Sequence, residues 1–197
     1  MRGVVLCEYS GIVSAAFRAR GFECWSCDVL PTEGDPAWHM IGDAVSVAWG
    51  YPWDFAIFHP PCTDTAVSGA RHFEAKRADG RQQRSLGFIK ALWNAPIRHK
   101  ALEQPVSISG QAIGRRADQV LQPWQFGHGE TKATCLWLHN LPRLKPTDIV
   151  EGREPRVYRM APHPDRWKER SRTFSGVAEA MADQWGDHLR ASQRRAA

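Results

Sequence analysis

The chain has 197 residues, 43% hydrophobic and 24% charged, which suits one folded domain with a sizeable core and excludes a disordered or fibrous protein. No apolar run approaches membrane-spanning length, and the opening Met1-Arg-Gly-Val-Val-Leu-Cys7-Glu8 turns polar too soon for a signal peptide, so a cytoplasmic protein is expected. Twenty-six Lys and Arg against 21 Asp and Glu give a modest basic excess that suits a polyanionic partner.

Five cysteines, at positions 7, 24, 27, 62 and 135, make an odd and scattered set. That excludes a secreted disulfide framework. Cys24-x-x-Cys27 has zinc-ligand spacing without a second pair, so no metal site is expected. Val4 to Cys7 predicts a first strand that ends in Glu8-Tyr9-Ser10-Gly11. Ile12 to Arg20 predicts a helix closed by Gly21. Phe22 to Cys27 reads as a second strand, with Asp28 at its end. Strand, glycine turn, helix, strand and acid in this order grip an adenosine-type ligand, the acid accepting hydrogen bonds from ribose hydroxyls. The turn holds one glycine, which fits a cofactor without phosphates such as S-adenosylmethionine. Thr32 to Trp38 reads as a loop. Ile41 to Ala44 is a turn that either brings Asp43 to the same pocket or makes it a helix cap.

Phe55 to Phe58 is apolar without alternation, as in a buried strand of a parallel sheet. Pro60 and Pro61 stop it, because proline lacks the ladder donor. Cys62 therefore stands on a rigid loop past a strand's carboxyl end, where open α/β sheets do their chemistry. A cysteine there is either a nucleophile or a small buried hydrophobe. Asp64 to Gly80, with Arg71, His72, Lys76 and Arg77, reads as a mobile basic loop over that site. Gln82 to Asn94 predicts a helix with Leu86, Ile89 and Trp93 on one face, ended by Pro96. Ala101-Leu102 leads into Glu103-Gln104-Pro105, a second strand end with a polar group and a proline, which makes Glu103 a candidate partner of Cys62. Ser107 to Leu121 reads as helix and connection. Pro123 to Gly129 is an aromatic loop that either stacks on bases or faces the core. Thr134 to Leu138 predicts a further strand, Leu141 to Pro164 is irregular, Thr173 to Leu189 is an amphipathic helix, and Gln193 to Ala197 a frayed basic tail.

Together, and in this order, the segments resemble the DNA cytosine-5 methyltransferases in the compact form that phages and prophages carry. Tyr9-Ser10-Gly11 resembles that family's aromatic-x-glycine cofactor turn, Asp28 its ribose-binding acid and Asp43 its adenine-side acid. Pro61-Cys62 is similar to the Pro-Cys nucleophile motif, with Pro60 on the cofactor side. Arg84-Ser85-Leu86 resembles part of the helix that follows, and Glu103-Gln104-Pro105 the Glu-Asn-Val motif. Glu130 to Thr134 resembles a degraded Gln-x-Arg-x-Arg, and Phe174 to Ala178 the closing cofactor-side motif. Three departures stand out. Val13 and Ser14 occupy the place of a second glycine. Lys132 and Thr134 replace two arginines, leaving Lys132 as the basic contact. The stretch between Thr134 and the closing helix is too short for a target-recognition domain.

The resemblance implies a Rossmann-like α/β fold of the S-adenosylmethionine-dependent methyltransferases, a mostly parallel sheet flanked by helices. Residues 1–197 would form a single catalytic domain with a basic, loop-rich insert around 141–170. It implies methyl transfer to carbon-5 of cytosine in DNA, in a bacterial or phage-infected cell, with short or relaxed sequence specificity. Cys62 would add to carbon-6, Glu103 would protonate or hydrogen-bond N3, and Lys132 would assist. Tyr9, Ser10, Gly11, Asp28, Asp43 and Pro60 would hold the cofactor. The thiol needs a lowered pKa, from a nearby cation or oriented amides. Glu103 needs a raised one, from burial. A base stacked in a duplex cannot reach such a site, so the partner is DNA with a flipped base or a single strand. Arg153, Arg156, Arg159, Arg166, Lys168, Arg170 and Arg172 predict backbone-dominated binding. No membrane and no obligate protein partner is implied. An amino-methyltransferase acting on adenine N6 or cytosine N4 stays open, because His59-Pro60-Pro61-Cys62 is similar to its acid-Pro-Pro-aromatic loop. A non-catalytic nucleic-acid or cofactor-binding phage protein stays open too, as does a cofactor that delivers a group larger than methyl.

Overall fold

In the computed structural model, which describes residues 1–196, the apolar runs become the inner strands of one sheet. The strands are β1 (Arg2–Leu6), β2 (Glu23–Asp28), β3 (His39–Ile41), β4 (Phe55–Phe58), β5 (His99–Pro105), β6 (Gln119–Leu121) and β7 (Thr134–His139). Their order is β3-β2-β1-β4-β5-β7-β6. β1 to β5 run parallel, and β7 runs antiparallel to both β5 and β6. This is the expected α/β, Rossmann-like sheet, mostly parallel and flanked by helices, with one reversed strand.

The first helices are α1 (Ile12–Ala19), α2 (Ala44–Gly50), α3 (Phe73–Ala78), α4 (Arg81–Trp93) and α5 (Gly110–Ile113). They are followed by α6 (Arg156–Arg159), α7 (Arg166–Ser171), α8 (Ser175–Ala180) and α9 (Gly186–Ala196). Successive residues of a strand point to opposite faces, and here each face meets its own core. Val5, Phe55 and Ile57 join α1, α8 and Trp185 on one side. Val4, Leu6, Ala56 and Phe58 join Ile89 and Leu92 of α4 on the other. Double-sided burial is why Phe55–Phe58 shows no polar alternation. Gly3 is required by the same packing, since a Cβ there would lie 2.0 Å from the Phe55 ring.

In register, Leu6 of β1 stands beside Phe58 of β4, and Phe58 beside Leu102 of β5. β1 and β4 therefore end level, while β5 runs on past them to Pro105, still paired with β7. Glu8, His59 and Glu103 emerge together at that edge.

Several segments differ from expectation. Asp64 to Gly80 is not a mobile loop: it forms a 3-10 turn, Val67–His72, and then α3. The Lys76 ammonium sits on the carbonyl of Thr63 and 3.5 Å from Asp64, which anchors the segment. Ser107 to Leu121 contains α5 and the strand β6. The last amphipathic stretch is α8, a π-helical turn Met181–Trp185, and α9. α9 continues through Gln193 to Ala196, so the described part of the tail is helical rather than frayed; Ala197 lies outside the described residues. Among the described residues no helix is long and apolar enough to cross a membrane.

Candidate active site

The loop after β4 is locked from several directions. His59 donates its backbone N–H to the carbonyl of Leu6 at 2.9 Å. The side-chain amide of Gln104 donates to the carbonyl of Pro60. The oxygen of that same amide accepts from Thr65 Oγ1 at 3.1 Å and Ser109 Oγ at 3.4 Å. The carbonyl of Cys62 accepts from the backbone N–H groups of Thr65 and Ala66 at 3.1 and 2.9 Å. Two prolines and these bonds leave the loop little freedom. The Cys62 side chain is half-buried. Burial pushes its thiol above the usual value, the charge of Glu103 adds to this, and Lys132 and Arg170 only partly oppose it. A lowered thiol pKa, expected from the sequence, is not what the structure shows.

Glu103 leaves β5 beside this loop. Its Oε2 lies 2.7 Å from Nδ1 of His59, and the two side chains are 13% and 12% exposed. Burial alone would raise the carboxyl, as the sequence reading expects. The hydrogen bond and charge of His59, helped by Lys132, reverse the sign and hold Glu103 below its usual value. For His59, burial works against the charged form. The bond to Glu103 and the charges of Glu103 and Glu8 overcome it and raise the imidazole. Glu8 is buried and accepts from the N–H groups of Val13 at 2.6 Å and Ser14 at 3.2 Å, at the start of α1. Burial raises its carboxyl, and His59 works against that. Anions at a helix start are favoured by the unpaired N–H groups there.

The expected cofactor residues follow the carboxyl ends of β1, β2, β3 and β4. Gly11 takes the left-handed conformation, φ 69°, just before α1. A Cβ there would also sit 3.3 Å from the Cα of Gly34. Ser10 is half-buried in the same turn. Tyr9 is buried, its hydroxyl donates to the carbonyl of Lys168 at 2.7 Å, and its ring meets Trp167 at 5.8 Å. Asp28 ends β2, its Oδ1 accepts from Leu30 N at 3.0 Å, and burial raises its carboxyl. Asp43 is exposed and caps α2, accepting from Ser46 N at 2.7 Å. Its charge and that of Asp28 both act on Cys27, whose thiol is pushed up to about 11, mainly by burial. Pro60 is buried with its carbonyl engaged by Gln104.

Residues 166–174 form a strap across this region. The Arg172 guanidinium makes three hydrogen bonds to Glu33, of 2.7, 2.8 and 3.1 Å. Lys132 Nζ donates to the carbonyls of Arg170 at 2.9 Å and Arg172 at 3.2 Å, and lies 5.8 Å from the Phe174 ring centre. Cys62, Glu103 and Lys132 thus share one electrostatic cluster, but two of the three ammonium donors of Lys132 are already engaged by the strap.

The basic segment is partly spent on internal partners. Arg156 pairs with Glu130 at 2.7 Å, Lys168 with Asp165 at 3.2 Å, and Arg153 stacks 3.8 Å over Trp124. Arg159 and Arg170 take part in no ion pair among the described residues.

Sequence reasoning passed over Glu8 and the role of His59. The signal for His59 was its place between a strand end and two prolines, and for Glu8 an acid just ahead of a helix. What joins them to Glu103 is strand order, which spacing does not contain.

No protein-family model matches this chain. No curated protein matches it. Among solved structures, it is similar to a candidate DNA modification methyltransferase encoded within a prophage of E. coli. The two are 15% identical, with 76% of this chain and 52% of that one covered and a TM-score of 0.49. The chain therefore spans about half the length of that protein.

Proposed function

We propose that the chain is a DNA methyltransferase that transfers a methyl group from S-adenosylmethionine to carbon-5 of cytosine through an adduct on Cys62. One observation carries this reading: a thiol on the proline-locked loop after β4 feels the charge of a buried carboxylate on the neighbouring strand β5. Open α/β sheets work at that edge. A structural cysteine would not account for the paired carboxylate beside it.

The chemistry balances with an ionised Glu103. As Cys62 Sγ bonds to carbon-6, the thiol loses its proton and N3 gains one, so the adduct stays neutral. Glu103 accepts from N3–H and from the exocyclic amine, which stabilises charge that forms only as the bond does. Carbon-5 becomes an enamine nucleophile. After carbon-5 is alkylated, its proton passes to solvent water, the carbon–sulfur bond breaks with its electron pair on sulfur, the N3 proton returns to the thiolate and the ring double bond is restored.

The residues present fit the cofactor. A left-handed glycine turn, an aromatic ring and a half-buried acid at the end of β2 suit an adenosine without phosphates. Tyr9, Ser10, Gly11 and Asp28 would hold it, with Asp43 and Pro60 at the adenine side, and when bound it supplies the electrophilic methyl group. The basic segment Arg153 to Arg172 would meet the DNA backbone, and the domain would be the single catalytic unit with its insert around 141–170.

The test is incubation with S-adenosylmethionine and DNA, followed by mass spectrometry of the nucleosides. The expected product is 5-methylcytosine, abolished in Cys62→Ser. A methyl on an exocyclic amine, or full activity without the thiol, overturns the mechanism. An added mass larger than methyl replaces the group while keeping the site.

A further inference from the structure

We propose that His59 is a positioning residue for Glu103: as an imidazolium it holds Oε2, so that Oε1 is presented to the pyrimidine as an acceptor. The proposal rests on the function proposed above and names a residue that function does not require.

The geometry has three parts. Nδ1 and Oε2 are 2.7 Å apart between two largely buried side chains, and Oε1 has no hydrogen-bond partner among the described residues. His59 itself cannot drift, since its backbone is bonded to Leu6 and followed by Pro60. Its other nitrogen, Nε2, is sealed from solvent with no hydrogen-bond partner. A histidine kept for packing satisfies both nitrogens, and an orphan nitrogen calls for a reason. The reason is the bond at Nδ1, which fixes the ring toward Glu103 even though it leaves Nε2 bare. The groups facing the imidazole are Glu103 from β5, Glu8 from the turn after β1, and Lys132 from the segment before β7. Glu103 and Glu8 both favour the protonated ring, and Lys132 opposes it. Without that charge, Glu103 would keep only Lys132 against the effect of its burial, and its carboxyl would be driven toward the protonated form.

The discriminating variants are His59→Gln, which keeps a donor but cannot titrate, and Glu103→Gln. Two readouts are made. Imidazole protonation is followed by nitrogen NMR in histidine-labelled wild type and in Glu103→Gln. Wild-type His59 is expected to titrate above the ordinary histidine range, and to fall in Glu103→Gln. Methyl transfer is then measured against pH. Wild type is expected to lose activity on an alkaline limb as His59 deprotonates; His59→Gln is expected to lack that limb. It should also lower kcat by about 100-fold, the cost of a misplaced catalytic group, with KM for DNA little changed. A variant profile that superimposes on an active wild type overturns the inference alone, as does a His59 titration indifferent to Glu103→Gln. Absence of transfer by wild type overturns the methyltransferase reading, and the role at a pyrimidine falls with it, while the NMR arm still reports on the pair.

Discussion

At Glu103, burial and pairing pull in opposite directions, and pairing wins. Linkage turns this into a stability prediction. Glu103 is depressed, so its contribution is present above its ordinary value and is lost as pH falls through the depressed one. His59 is raised, so its contribution is full below its ordinary value and is lost as pH rises through the raised one. The pair therefore contributes most between about pH 4.5 and 6.5. Denaturant titrations in that window should show Glu103→Gln destabilised by about 3–5 kcal/mol, the cost of breaking a buried pair, with a smaller difference at alkaline pH. An equal difference at every pH would refute the pairing. The position of Cys62 was legible because two prolines after an apolar run leave few alternatives. The ionisation of Glu103 was not legible, because its partner stands 44 residues earlier and meets it only through β4–β5 pairing.

At the scale of elements, length decided what could be read. β4 and β7 are long or wholly apolar and bring their own pattern. β3 and β6 have three residues each and a single neighbour; they are strands because of that neighbour, and no period of two fits in three residues. The stretch after Cys62 misled for another reason. Its glycine and arginines look unstructured, but Lys76 turns inward and anchors it. The strap invites a direct test. The side chains of the Arg172–Glu33 pair are each 40% exposed, so Glu33→Ala should cost no more than about 1 kcal/mol of global stability. Trypsin should nevertheless cut faster at Arg166 and Arg170, because local opening is easier than unfolding. Unchanged cleavage would mean that the pair does not hold the strap. In the buried layer the scale differs: Ile57→Ala should cost about 2–5 kcal/mol in a denaturant titration, through lost burial and a residual cavity, since Ile57 is fully buried. A loss below 1 kcal/mol would show that this part of the sheet relaxes freely.

For the molecule as a whole, the charge count overstates what a polyanion would meet. Of the seven basic residues from Arg153 to Arg172, three are in ion pairs: Arg156, Lys168 and Arg172. Seven minus three leaves four. If DNA binds this face, the slope of log affinity against log salt should be about −3.6, at about −0.9 per phosphate neutralised. Arg159→Ala or Arg170→Ala should each reduce it by about 1. A slope near zero would place the nucleic acid elsewhere or remove it. The strap's moorings have their own consequence. Tyr9 takes hold of the peptide oxygen of residue 168, and Lys132 of those at 170 and 172. Such a grip on main-chain atoms is blind to the side chains at 168 and 170, whereas Trp167 and Arg172 hold the strap through theirs. Substitution at those two positions therefore leaves the main-chain moorings in place.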